Sequence, residues 1–380
     1  MNTVEKNYME YKSNKPMKKA VFFGPFVGEF GWELFCWHGW VKRLCRTRYK
    51  DYHKIACSFP GRYPFYPEVD EFWPLPEEFL KIPISPRNYM TDYWIYGYPK
   101  PNVEDGFPDV WPILEKVIED FKKKLPTDTE FIYPWVFRYD KEDKRYYGVE
   151  IKEPLHLKNN FITHTIPPSR QILEGFEPTS KGLGMLAKIV KPEEKIITLF
   201  PREKLFRRPD RNWPKKNYEV LIKLIQKELP EYRLAIAGEP GGTFFTEGVP
   251  ENCIDLINVD PNLRMDLQLA ALKQSKLALG GESGGICFAL ASGSKVLSWG
   301  GHYSNRAFSK ENYMRSPFIY LPYPGASTTL ILKYIKWLIG SDTMPLDNLF
   351  RTLKIIFHTI FYPRYPYLIK LRITQLLKKV

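Results

Sequence analysis

Between residues 195 and 301, short apolar runs alternate with segments of helical length, and few folds accommodate that pattern. KIITLF (195–200), YRLAIAG (232–238), CIDLINV (253–259), the start of KLALGGESGG (276–285) and KVLSWGG (295–301) read as strands. NWPKKNYEVLIKLIQKEL (212–229), with Pro214 in its first turn, and MDLQLAALKQS (265–275) read as helices between them. A further helix follows the glycine turn and runs to about 293. The alternation predicts a parallel sheet covered by helices. Ligands of such sheets sit at the carboxyl ends of the strands.

The first half carries the same signature less densely. AVFFGP (20–25) and KIACSF (54–59) read as buried strands, each closed by Gly and Pro. Between them Leu34, Trp37, Val41 and Leu44 recur at helical spacing and define one apolar face. VWPILEKVIEDFKKKL (110–125) is an amphipathic helix and EFIYPW (130–135) another strand. Residues 60–112 are crowded with Pro, Tyr and Trp and give no assignable period. A polar, mixed stretch over 138–192 contains the interdomain connection, and TTLILKYIKWLIG (328–340) reads as a helix. At 380 residues the chain suits two α/β domains better than a single core.

Composition narrows the partners. A hydrophobic fraction of 44% excludes global disorder. A formal net charge of +13 favours anionic partners such as sugar nucleotides, nucleic acid or an anionic membrane surface. Five cysteines (Cys36, Cys45, Cys57, Cys253 and Cys287) form no C-x-x-C pair, which argues against structural zinc and a disulfide framework and for a reducing cytoplasm. Residues 1–18 are polar and are expected to be flexible, without the apolar core of a signal peptide. No stretch has the length of apolar sequence needed to span a membrane.

Two motifs fall at strand ends. In LALGGESGG (277–285) a strand runs into Gly280-Gly281, and Glu282-Ser283-Gly284-Gly285 opens a helix whose unpaired N–H groups and dipole suit a phosphate. Ser283 can donate a hydroxyl and Glu282 can accept from a ribose; alternatively, the glycines serve packing alone. FPREKLFRRPDRNWPKK (200–216) holds seven basic residues against Glu203 and Asp210, placed to grip a diphosphate with arginine forks. The competing reading is a solvated basic loop.

Taken in order, Arg202, then Arg211-Asn212-Trp213-Pro214, then Gly238-Glu239-Pro240, then Glu282-Ser283-Gly284 resemble the C-terminal half of GT-B glycosyltransferases, especially the heptosyltransferase-like family (glycosyltransferase family 9) of lipopolysaccharide synthesis. The resemblance covers about 195–301. Glu282 stands where that family usually has Asp, and Cys287 where it has a histidine. The resemblance implies an α/β fold of two Rossmann-like domains facing a cleft, with a donor site of Arg202, Arg207, Arg208, Arg211, Glu239, Glu282, Ser283, Gly284 and Gly285.

That family also carries G-[DE] in its first βα loop, where the acid is the proposed catalytic base, and Gly28-Glu29 resembles the pair. In an inverting transfer this base would take the proton of the attacking acceptor hydroxyl. An acid at a helix N-terminus is alternatively a dipole partner only. Glu33, one turn on, is the other candidate acid; Gly28, Trp32 and His302 are the remaining cleft candidates on the acceptor side. His38 reads as a packed or surface histidine. The chain has no D-x-D and no H-E-x-x-H, so no metal is expected and the nucleotide-diphosphate sugar is a substrate, with no cofactor.

The resulting organisation is a flexible 1–18, an acceptor domain over 19–165, a linker over 166–192, a nucleotide-sugar domain over 193–325 and a helix over 326–345 that returns to the first domain. A basic amphipathic extension occupies 346–380; within it, 349–380 carries seven Lys/Arg and no acid. That pattern suits an anionic leaflet, against a packed extension with a basic outer face. The expected partners are a nucleotide-sugar donor, a glycan or glycolipid acceptor and a membrane surface, with no nucleic acid, in the cytoplasm and peripheral on the inner face of the membrane. Rival readings are a polysaccharide pyruvyl transferase, a sugar epimerase, or a non-catalytic binding protein anchored by the tail.

Overall fold

The computed structural model describes residues 19–28, 30–83, 105–108, 110–134, 138–140, 145–147, 171–204, 209–300, 312–321 and 326–340. Within these, β1 (Ala20–Phe23), β2 (His53–Ser58), β3 (Glu71–Pro74) and β4 (Glu130–Ile132) form a parallel sheet in the order β3-β2-β1-β4. A short antiparallel ladder follows, β5 (Arg138–Asp140) with β6 (Arg145–Tyr147). The second parallel sheet joins β7 (Lys195–Phe200), β8 (Tyr232–Ile236), β9 (Cys253–Asp255), β10 (Ser275–Gly281), β11 (Val296–Trp299) and β12 (Phe318–Leu321) in the order β12-β11-β10-β7-β8-β9. Two parallel sheets with helices packed on them give the α/β class that the alternating pattern predicts.

Counted within the second sheet, the strand order is 3-2-1-4-5-6, the doubly wound arrangement, and it reverses between β7 and β10. In the first sheet the order reverses between β1 and β4. Chains leaving β1, β7 and β10 therefore diverge around a crevice at each reversal, which is where ligands of such sheets bind.

The two faces of the second sheet differ in residue size. Ile197, Leu199, Leu234, Ile236, Leu277, Leu279, Leu297 and Trp299 pack with α4 (Lys215–Glu228) and α7 (Thr328–Leu338). The alternate positions Ala235, Ala237, Ala278 and Val296 belong to a second cluster that includes α5 (Pro261–Gln274), α6 (Gly284–Ala291) and the whole first-sheet core. The alanines, with Gly280, let α5 and α6 lie close to a face that also carries Ile196, Phe200 and Ile254, and the outer surfaces of the two helices meet the first domain. Every residue of α5 from Met265 to Leu272 is consequently buried, so its sequence carries no polar face. Its two buried polar side chains are satisfied. Gln268 donates to the carbonyls of Gly238 and Leu256 at 2.8 Å each, while Asp266 accepts from Tyr63 at 2.5 Å and from the backbone N–H of Thr179 at 2.8 Å.

The element after β1 is built differently from the plain helix expected. A single turn over Phe30–Trp32 passes into a π-helical segment, Glu33–Trp37, and then into α1 (His38–Arg46). Leu34, Trp37, Val41 and Leu44 are buried as predicted, and so are Phe35, His38 and Trp40. The extra burial comes from residues 171–176, which cross the other side of the helix: Ile172 N–H donates to the Gly39 carbonyl at 2.8 Å, and Phe176 lies 4.6 Å from the His38 ring. The amphipathic helix expected over 110–125 is α2 (Val110–Lys124), and the stretch expected as linker also holds a helix, α3 (Ser180–Leu186), N-capped by Thr179. Strands β3 and β12 lie where the sequence shows no strand pattern.

Candidate functional site

The two predicted motifs of the second half occupy the two strand ends at the reversal. Beyond β7, Phe244 N–H donates to the Pro201 carbonyl at 2.8 Å, Glu203 N–H donates to the Gly242 carbonyl at 3.1 Å, and Thr243 Oγ1 donates to the Pro201 carbonyl at 2.8 Å. These bonds fix the base of the arginine loop. Asn212 closes it: its Oδ1 accepts from the Arg202 guanidinium and from Lys204 N–H at 3.0 Å, and its Nδ2 donates to the Lys204 carbonyl at 2.6 Å. The x-W-P part of the motif is structural. Trp213 is buried with its ring 5.0 Å from Trp299 and 4.9 Å from Tyr218.

At the end of β10, Glu282 is 5% exposed and accepts from the Tyr320 hydroxyl at 2.5 Å; its other oxygen lies 3.6 Å from Arg211 Nε. Room for this carboxylate depends on Gly300, whose Cβ would stand 2.9 Å from Glu282 Cγ. Ser283 caps α6 through its Oγ, which accepts from Ile286 N–H at 3.4 Å. The glycines of the turn have packing roles as well. A Cβ at Gly285 would run into the Phe200 ring, with Cγ at 2.8 Å, and one at Gly280 would stand 2.7 Å from the Phe200 carbonyl. Arg202, Arg211, Glu282, Ser283, Gly284 and Gly285 thus come together at one end of the sheet, and Gly280 and Gly285 have the packing role that was the alternative reading.

The first sheet meets this end directly. A Cβ on Gly284 would be 3.1 Å from the Phe30 ring, and Phe30 also packs at 5.7 Å on Phe288 of α6. Phe65 joins the same cluster, 5.8 Å from Phe30 and 4.7 Å from Phe176. The loop after β2 brings Arg62 into the junction. This side chain is 1% exposed and ion-paired to Glu33, and its Nη2 donates to Glu239 at 3.3 Å. Glu33, fully buried, also accepts from Ser58 and Tyr66 at 2.5 Å each. Burial opposes the Arg62 charge, but Glu33 and Glu239 outweigh it and hold the guanidinium pKa above its usual value. Burial and the same Glu33 carboxylate raise the Tyr66 phenol well above its ordinary range.

Glu33 was expected among the acceptor-side residues. It is instead enclosed, with Ser58, Arg62 and Tyr66 around it. His38 is fully buried as well; burial, with Lys42 nearby, pushes its pKa down to about 3. Its Nδ1 lies 3.1 Å from the Glu33 carbonyl, and because a carbonyl only accepts, the neutral ring carries its proton there. Gly28 is buried at the end of the β1 loop, and Glu239 follows β8 at a glycine turn (Gly238, φ +146°). Glu29, Arg207, Arg208 and His302 lie outside the described residues, as do the Trp32 side chain and the 346–380 extension. Among the described residues no group of three or more His, Cys, Asp or Glu could hold a metal ion, and no helix is long and apolar enough to cross a membrane.

Sequence reasoning missed Arg62, Ser58, Tyr66 and Tyr320. Arg62 lies in SFPGRYPFY, where nothing local signals an ion pair; its carboxylate partners are 29 and 177 positions away.

No protein-family model matches the chain, and no curated protein matches it. Solved structures similar to it include E. coli ADP-heptose lipopolysaccharide heptosyltransferase II, 14% identical over 84% of this chain and 98% of that one, with a TM-score of 0.45. A glycosyl transferase family 9 protein from Veillonella parvula is 12% identical over 87% of this chain and 100% of that one, with a TM-score of 0.48. The UDP-GlcNAc 2-epimerase of Methanocaldococcus jannaschii is 12% identical over 89% and 100%, with a TM-score of 0.40. All three overlaps are loose.

Proposed function

We propose that the chain is a metal-independent, inverting glycosyltransferase of the GT-B type that moves a sugar from a nucleotide diphosphate to a glycan or glycolipid acceptor. The observation that carries this reading is the meeting of two strand-end turns. Phe30, next in the chain to Glu29, lies against Gly284, the first residue of the helix whose N-terminus suits a phosphate. This contact supports a site in which the acid that precedes Phe30 in the chain serves an anion held at the N-terminus of α6.

In this reaction Glu29 takes the proton of the acceptor hydroxyl as its oxygen bonds to the anomeric carbon, and the bond to the diphosphate oxygen breaks on the opposite face. The departing nucleoside diphosphate gains charge. Arg202, Arg207, Arg208 and Arg211, with the N–H groups of Gly284 and Gly285, stabilise that charge. Glu282 orients Arg211, and Glu239 faces the donor from the end of β8. The first domain binds acceptor and the second binds donor. The basic 346–380 extension holds the enzyme on an anionic cytoplasmic leaflet, an assignment supported by its seven Lys/Arg over 349–380 without an acid.

Thermal denaturation in the presence of a panel of nucleoside diphosphates tests the donor site. At least one should raise the melting temperature in a concentration-dependent manner, and no shift with any of them rules the donor site out.

A further inference from the structure

Arg62 joins the turn after β1 to the turn after β8. One side of its guanidinium meets Glu33 in the π-helical turn after β1, and the other reaches Glu239 after β8, in the second sheet. It stacks 5.0 Å from the Phe30 ring and 4.5 Å from that of Phe59. Phe30 in turn abuts Gly284. Within the turn that contains Glu29, Arg62 therefore touches the residue immediately after it and the acid four residues on. We infer that Arg62 is a positioning residue, which sets the Glu29-bearing turn against the donor edge of the second sheet; this rests on the glycosyltransferase reading.

The chemistry favours arginine for the task. A planar fork can serve two carboxylates from different directions, whereas a lysine ammonium on a flexible stem acts as a point charge. Glu33 is fully buried and holds its own side of the fork rigidly through Ser58 and Tyr66. Glu239, about one-third exposed, is the side on which donor binding can act. Any displacement of Arg62 moves Phe30 and Glu33 together.

Arg62→Lys tests this, because it retains the buried charge that Glu33 requires; Arg62→Met is the harsher companion. In Arg62→Lys, affinity for nucleoside diphosphate should stay within about threefold of wild type, while kcat falls by about tenfold or more with little change in KM. Hydrogen–deuterium exchange should rise together in 59–66 and 238–244, a readout independent of activity. Wild-type turnover, or unchanged exchange in either segment, overturns the inference. Absence of nucleotide binding and transfer in the wild type would instead overturn the glycosyltransferase reading, and the exchange measurement would still decide whether Arg62 couples the two segments.

Discussion

On the first-sheet side of the junction, position is set by charge and hydrogen bonds: Glu33 gathers Ser58, Arg62 and Tyr66 in a buried enclosure. On the second-sheet side it is set by the absence of side chains: Gly280, Gly284 and Gly285 let Phe200 and Phe30 approach the turn into α6. The first design places a turn with directional bonds, at the cost of burying ions. The second brings backbone N–H groups within reach of a ligand and tolerates almost no added atom. A catalytic acid needs a fixed position and a phosphate needs bare backbone, so each domain uses the device its proposed role requires.

The comparison can be broken from either side. Glu33→Gln leaves Arg62 buried with Glu239 as its carboxylate partner, and chemical denaturation should show a loss of about 3–5 kcal/mol. A loss below about 1 kcal/mol would mean the enclosure is not an ion-paired one. Gly285→Ala drives a methyl into the Phe200 ring and should cost about 1–3 kcal/mol by the same measurement. A neutral result would contradict the packing role of this glycine.

A further effect is titrated rather than engineered. Burial holds His38 neutral with its folded pKa down at about 3, against 6.5 for an ordinary imidazole, so the unfolded chain binds the extra proton between those values. Its contribution to stability is complete above about pH 6.5 and declines as pH falls toward 3, by at most about 1.4 kcal/mol per pH unit. His38→Gln should flatten the acid side of a stability–pH curve relative to wild type. An unchanged slope would contradict the buried neutral ring.

The parts legible in sequence were those whose pattern is local. β7 and β10 are apolar runs because helices cover both faces of the second sheet, and the glycine turn and arginine loop follow them directly. β3 has the sequence EFWP and is only partly buried, so neither an apolar run nor a strict alternation marks it. α5 reads as a helix over 265–275 even without the usual amphipathic stripe, which it lacks because the sheet, α3 and the first domain enclose it. The junction was the least legible part. Arg62 acquires meaning only when β2, the π-helical turn and β8 are brought together, and no spacing along the chain encodes that meeting.

Glu29 is the proposed base at a donor site proposed to be made by the other domain. Glu29→Gln should bind nucleoside diphosphate with wild-type affinity in calorimetric titration while sugar transfer falls by at least about 100-fold. Transfer at the wild-type rate by Glu29→Gln would contradict it.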